Sequence, residues 1–115
     1  MKSTITARIT DTTRGKPVAN VTVVLEMQSE NGEWKELSRT ISNNEGNVFN
    51  LLPENFSLSP GFYSLIFDTK SYYQSYGIET CYPVIPIIFE IQNPKLPFHI
   101  PLQISPFGYS TYRGE

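Results

Sequence analysis

Residues 100–115, I-P-L-Q-I-S-P-F-G-Y-S-T-Y-R-G-E, decide the fold of this chain. Ile100, Leu102 and Ile104 recur at every second position, which is the period of a β-strand with one buried face. The P-F-G sequence that follows is typical of a corner, and a polar tip follows the corner. We therefore expect a strand over residues 98–105 and a last short strand in the tail.

The same alternation occurs along the rest of the chain, between clusters of turn residues. Strands are predicted at residues 3–11, 21–27, 34–42, 47–51, 62–68 and 84–91. Pro83 and Pro86 suit an edge or bulge position for the last of these strands, because proline cannot donate a ladder hydrogen bond. Residues 69–76 are the only plausible helix, which Gly77 ends. Seven or eight short strands predict an all-β fold, a two-sheet β-sandwich forming one domain over residues 1–115.

Composition excludes several classes of function. The formal net charge is −2 and the nine basic residues are scattered, so nucleic acid is not an expected partner. One histidine and one cysteine cannot supply an ordinary zinc site, and we expect no metal and no cofactor. No apolar run approaches the ~20 residues of a membrane span, and no apolar signal core begins the chain. We expect a cytoplasmic protein without a membrane partner, in which Cys81 is a buried packing residue.

Five segments together resemble the transthyretin-like superfamily, and in particular its 5-hydroxyisourate hydrolases. The tail ends in Y-R-G, as theirs does, and D-T-T-R-G-K-P-V-A-N-V-T-V-V-L at 11–25 is similar to their first hairpin. N-N-E-G at 43–46, D-T-K-S-Y-Y-Q-S-Y-G-I at 68–78 and Y-P-V-I-P-I-I-F at 82–89 resemble their polar turn, short helix and following strand. The resemblance implies a homotetramer, a dimer of dimers, with sites in a channel between subunits.

The resemblance also implies an active site, and this chain departs from the family pattern within it. The family uses a histidine on the first strand, an arginine after the polar turn, a histidine on the penultimate strand and the terminal tetrapeptide. Arg8 occupies the position of the first histidine, and Asn47 that of the arginine. His99 matches the second histidine. The tail residues Tyr112, Arg113 and Gly114 match, and Glu115 stands in place of a serine.

The altered set still contains the groups that hydrolysis of a cyclic acyl-urea needs, namely a base and an oxyanion holder. His99 is the candidate general acid or base, because its unperturbed pKa lies near neutrality. Arg8 stays protonated and cannot be a base, but it can hold an anion or oxyanion. Glu115 is the third catalytic candidate, as an orienting group or second base. The substrate-binding candidates are Asn47, Tyr112, Arg113, Gln103 and Ser110.

Three functions fit this sequence. Our first interpretation is a diverged member of the hydrolase family that acts on another small polar heterocycle. The alternative is a genuine 5-hydroxyisourate hydrolase of urate catabolism. A third hypothesis is a non-catalytic, transthyretin-like binder of a small ligand. The three catalytic candidates also have plainer interpretations: His99 as an ordinary hydrogen-bonding residue, and Arg8 and Glu115 as an ion pair that plugs the channel.

Overall fold

The structure is a computed structural model that describes residues 4–114. It contains seven strands of four or more residues, two strands of two residues and one helix within that range. In chain order they are β1 (Ile5–Asp11), β2 (Lys16–Pro17), β3 (Thr22–Gln28), β4 (Trp34–Ile41), β5 (Asn47–Val48), β6 (Gly61–Asp68), α1 (Thr69–Ser75), β7 (Val84–Ile91), β8 (Phe98–Ser105) and β9 (Gly108–Thr111). The predicted all-β sandwich with one short helix is confirmed.

Two sheets make the sandwich. The first has the order β2-β1-β8-β9, with β5 also paired to β1, and the second has the order β4-β3-β6-β7. Strands β1 and β8 run parallel in an unbroken register, while β9 folds back antiparallel on β8. Strand β7, with its prolines, lies at the edge of the second sheet, which confirms the edge position expected from Pro83 and Pro86.

Burial follows the two-residue period of the strands. Ile5, Ala7 and Ile9 of β1 are fully buried, and they face apolar residues of both sheets in one continuous core. Burying these side chains stabilises the folded state by a free energy of about 25 cal/mol per Å² of apolar surface removed from water. The alternate residues of β1 and β8 must therefore project from the outer face of the first sheet. That face carries the candidate site.

The helix is tied to the first sheet through a buried carboxylate. The Tyr72 hydroxyl of α1 donates to Oδ2 of Asp11 at 2.7 Å, and Oδ1 of Asp11 accepts from the backbone N–H groups of Thr13 and Arg14. Burial, and then the hydrogen bond to Asp11, raise the pKa of Tyr72 to about 12, so the phenol keeps its proton. The turn after β1 is held by this network.

The helix begins and ends at residues whose types favour those positions. The Asp68 side chain caps the start by accepting from Ser71 N–H and the Ser71 hydroxyl. Gly77 follows the end with φ of +68°, a conformation that glycine adopts without cost. The predicted helix at residues 69–76 is confirmed to within one residue. None of the helical structure in residues 4–114 is long and apolar enough to cross a membrane.

Candidate functional site

The outer face of β1 and β8 brings Arg8 and His99 together. In the parallel register Thr6 pairs with His99, and Arg8 pairs with Pro101. Arg8 and His99 therefore project from the same face of the sheet, on adjacent strands and two positions apart in the register. They line an open cleft of about 520 Å³, which we call the outer cleft; its lining residues are Arg8, His99, Pro101, Tyr112, Arg113 and Gly114.

His99 is contacted at its imidazole by Thr6 and at its backbone by Gly114. The Thr6 hydroxyl oxygen lies 2.8 Å from Nδ1. Gly114 N–H donates to the His99 carbonyl oxygen at 2.8 Å. A Cβ atom at position 114 would lie only 2.8 Å from Cδ2 of the ring, so glycine lets the tail approach the imidazole this closely.

Electrostatics favour a neutral imidazole. Partial burial of His99, and then the positive charge of Arg8, lower the pKa of His99 below its usual value of 6.5. The ring is therefore largely unprotonated at neutral pH and can accept a proton. A base with a pKa somewhat below the working pH is suited to activating water.

Strand β5 places Asn47 beside Arg8. The two residues are Cα partners across the antiparallel pair of β1 and β5. The preceding turn is fixed because Asn43 Oδ1 accepts from the N–H groups of Glu45 and Asn47 at 2.9 Å each. Where β1 pairs with β5, Arg8 of β1 therefore carries the positive charge and Asn47 of β5 carries an uncharged amide.

The remaining candidates are distributed unevenly. Tyr112 and Arg113 line the outer cleft, but the Arg113 guanidinium stacks over the Phe98 ring at 4.3 Å and donates to the Pro97 carbonyl at 3.2 Å. Gln103 and Ser110 lie farther along β8 and β9, where the Ser110 hydroxyl donates to Gln103 Oε1 at 3.1 Å. Neither of these two lines the cleft. Glu115 lies outside the described residues.

Sequence reasoning missed Thr6 as a partner of His99. Thr6 shares the alternating polar face with Arg8, which is a signal visible in the sequence. Its contact with His99 depends on the parallel register of β1 with β8, which no local pattern specifies. The prediction that Cys81 is buried was wrong: its side chain is exposed, in the segment that crosses the surface before β7.

No group of three or more His, Cys, Asp or Glu side chains comes together in residues 4–114. The functional groups that line the outer cleft are one imidazole, two guanidiniums and a phenol. This set can move a proton and hold an anion.

Fold and cleft define a class: a transthyretin-like β-sandwich whose first sheet carries a histidine and a cation on its outer face. The chain belongs to the HIUase/transthyretin family, whose model matches residues 5–114. The 5-hydroxyisourate hydrolase of Salmonella typhimurium is 39% identical over 111 residues, which cover 96% of this chain and 80% of that protein. Hydrolases are thus established among the relatives of this chain.

Solved structures agree with this assignment. The 5-hydroxyisourate hydrolase of Klebsiella pneumoniae superimposes with a TM-score of 0.82 at 29% identity, covering 96% of this chain and 98% of that one. Transthyretin of Sparus aurata superimposes with a TM-score of 0.89 at 24% identity, covering 98% and 97%. The second likeness is one of fold alone, because one scaffold hosts several functions.

Proposed function

We propose that this protein is a 5-hydroxyisourate hydrolase that works with one histidine and a relocated cation. The observation that carries the proposal is that His99 and Arg8 line the same outer cleft, where Thr6 contacts the imidazole of His99. The named hydrolases among the relatives support the same reaction. This conclusion revises our first interpretation from the sequence, which gave priority to another substrate.

The reaction follows from these groups. Neutral His99 takes a proton from water, and the resulting hydroxide attacks a ring carbonyl carbon of the substrate. Arg8 holds the negative charge that develops on the carbonyl oxygen, because its guanidinium offers only donors. When the tetrahedral intermediate collapses, the carbon–nitrogen bond of the ring breaks. The imidazolium of His99 then returns its proton to the departing nitrogen, and the product carries a new carboxylate.

The second candidate function is hydrolysis of a different substrate. The substitutions at positions 8 and 47 relative to the family pattern favour it. Arg8 stands where the family pattern has histidine, and Asn47 where it has arginine. Because Arg8 and Asn47 are partners across β1 and β5, one positive charge is kept at this pair, but on β1 and not on β5 as in the family pattern. A ligand held by the relocated charge would sit differently against His99, which could select another small heterocycle of similar polarity.

The test of the proposed function is turnover of 5-hydroxyisourate generated in situ by a urate oxidase. We expect the absorbance of the intermediate to decay faster in proportion to the concentration of this protein. Decay at the spontaneous rate would exclude the family reaction and leave the diverged substrate as the function to pursue. Structurally related heterocycles would then be compared under the same conditions.

We also propose that four copies assemble and close the outer cleft. In the single chain the cleft is open, and Tyr112 on its rim is 58% exposed. Catalysis through an oxyanion gains from the exclusion of water, which an apposed subunit would provide. Sedimentation equilibrium is expected to give four times the chain mass. A monomer at concentrations that retain activity would contradict this assembly.

Replacing Arg8 with glutamine is expected to change both rate and pH dependence. In the wild type, the rate rises with pH as His99 loses its proton, and this acid limb lies below pH 6.5 because burial and Arg8 lower the pKa of His99. Without the guanidinium, the pKa rises toward 6.5 and the acid limb moves to higher pH. The loss of an oxyanion donor is expected to lower kcat by about 10²-fold.

A matched control comes from the turn after β1. Arg14 stacks on the Tyr76 ring at 4.0 Å and lies outside the outer cleft. Arg14→Gln removes the same charge and is expected to leave the pH profile in place. An acid limb that does not move in Arg8→Gln, or moves equally in both variants, would contradict direct coupling of Arg8 to His99.

A further inference from the structure

We propose that Thr6 is the positioning residue for His99: its hydroxyl oxygen accepts a hydrogen bond from Nδ1–H and so keeps the lone pair on Nε2. The catalytic meaning of this assignment rests on the proposed function. The hydrogen bond and the tautomer can be tested without any substrate.

The geometry of the pair fits a fixed partner. Thr6 and His99 are directly opposite in the parallel register, and the 2.8 Å separation of Oγ1 and Nδ1 is that of a well-formed hydrogen bond. Both side chains are half-buried. Threonine is branched at Cβ and has few rotamers, so its hydroxyl is held in place with little loss of entropy.

The direction of the hydrogen bond follows from the other groups around the ring. Arg8 faces the cleft from β1, and Tyr112 and Arg113 face it from the segment after β9. Guanidiniums can only donate hydrogen bonds, and a nearby positive charge favours a lone pair over an N–H on the nitrogen that faces it. A threonine hydroxyl can accept as well as donate, so it can take the Nδ1 proton. Nε2 is then the nitrogen that receives a proton from water.

The experiment uses the fact that the chain contains one histidine. Imidazole ¹⁵N NMR across a pH titration therefore reports the tautomer and the pKa of His99 without ambiguity. In the wild type we expect the signature of protonated Nδ1 and unprotonated Nε2 on the basic side. Thr6→Val keeps the shape of the side chain and removes the acceptor, whereas Thr6→Ser keeps the hydroxyl. Thr22→Val, the same substitution on β3 of the second sheet, is the control.

The direction in which the pKa of His99 changes in Thr6→Val shows whether Nδ1–H or the Thr6 hydroxyl is the donor of the hydrogen bond. If Nδ1–H donates to Thr6, the imidazolium loses an acceptor, so the pKa of His99 falls further and the neutral ring becomes a mixture of tautomers. Thr6→Ser restores the wild-type values and Thr22→Val does not alter them. A rise in the pKa in Thr6→Val means that the hydroxyl donates to Nδ1, which overturns the assignment. Unchanged spectra in Thr6→Val also overturn it.

Kinetics then show whether positioning serves the proposed reaction. For 5-hydroxyisourate we expect Thr6→Val to lower kcat by about tenfold with little change in KM, and Thr6→Ser to recover most of the loss. Absence of turnover in the wild type, together with the expected NMR changes, would reject the proposed function and keep the role of Thr6. Normal kcat in Thr6→Val, with wild-type turnover intact, would reject the positioning role and keep the function.

Discussion

Replacing His99 with alanine is expected to lower kcat for 5-hydroxyisourate by about 10²–10⁴-fold, the usual contribution of a general base. The other side chains that line the outer cleft in residues 4–114 include no second imidazole and no carboxylate: they are two guanidiniums, which can only donate hydrogen bonds, a phenol and a proline ring. The measurement is the decay of enzymatically generated 5-hydroxyisourate at several protein concentrations. The spontaneous rate is subtracted.

A second substitution separates chemistry from structure. His99→Gln preserves a polar side chain of similar reach on β8 and removes the titratable nitrogen. Both variants should therefore be similarly slow, and circular dichroism should show the same β-structure as the wild type. Turnover in both variants that equals the wild-type rate would show that His99 is not the base. The reaction would then have to be assigned to groups elsewhere in the molecule.

Gly46→Ala is expected to lower the free energy of unfolding by about 2–5 kcal/mol. Gly46 has φ of +78°, and an added Cβ would lie 2.4 Å from the backbone carbonyl oxygen of Ile9. A backbone atom in β1 cannot move aside as the end of a flexible side chain can. The Ile9 N–H also donates to the Gly46 carbonyl at 2.9 Å, so a displaced turn disrupts β1 itself. Urea denaturation gives the change in free energy of unfolding.

Gly32 provides the matched control for this prediction. Its φ is +88°, and a Cβ there would meet nothing within 4 Å. Gly32→Ala therefore incurs only the backbone cost, about 1–2 kcal/mol. Equal destabilisation in the two variants would show that the contact with Ile9 adds nothing. Because Gly46 adjoins Asn47 and the turn lies against β1, we also expect Gly46→Ala to lower catalytic activity.

Much of this fold can be predicted from local patterns. The alternation in residues 98–105 and around Ala7 marks buried faces, and the structure confirms both. The helix and the edge position of β7 also follow from residue type, because capping and proline chemistry act within a few residues. The exposure of Cys81 could not be predicted in this way, since it depends on how the segment between α1 and β7 runs over the surface.

The candidate site is only partly visible in the sequence. Arg8 and His99 could be proposed from the resemblance to the hydrolase family, and the structure places both in one cleft. The contact of Thr6 with His99 requires a strand register that is fixed by the whole sheet. The position of Arg113 is likewise set by tertiary contacts, because stacking on Phe98 competes with any contact to a ligand. The roles of all the candidate residues, Arg8 and His99 included, remain predictions.

The parallel pairing of β1 with β8 has a consequence for the order of folding. Thr6 and His99 are separated by 93 residues, whereas most of the second sheet is built by pairing β3, β4 and β6, which lie closer along the chain. Contacts between distant segments form slowly, because a long loop must close before they contribute. During synthesis, β1 leaves the ribosome before β8 and can pair with it only after β8 has been made. The contact of Thr6 with His99 is therefore expected to form late in folding, after most of the second sheet.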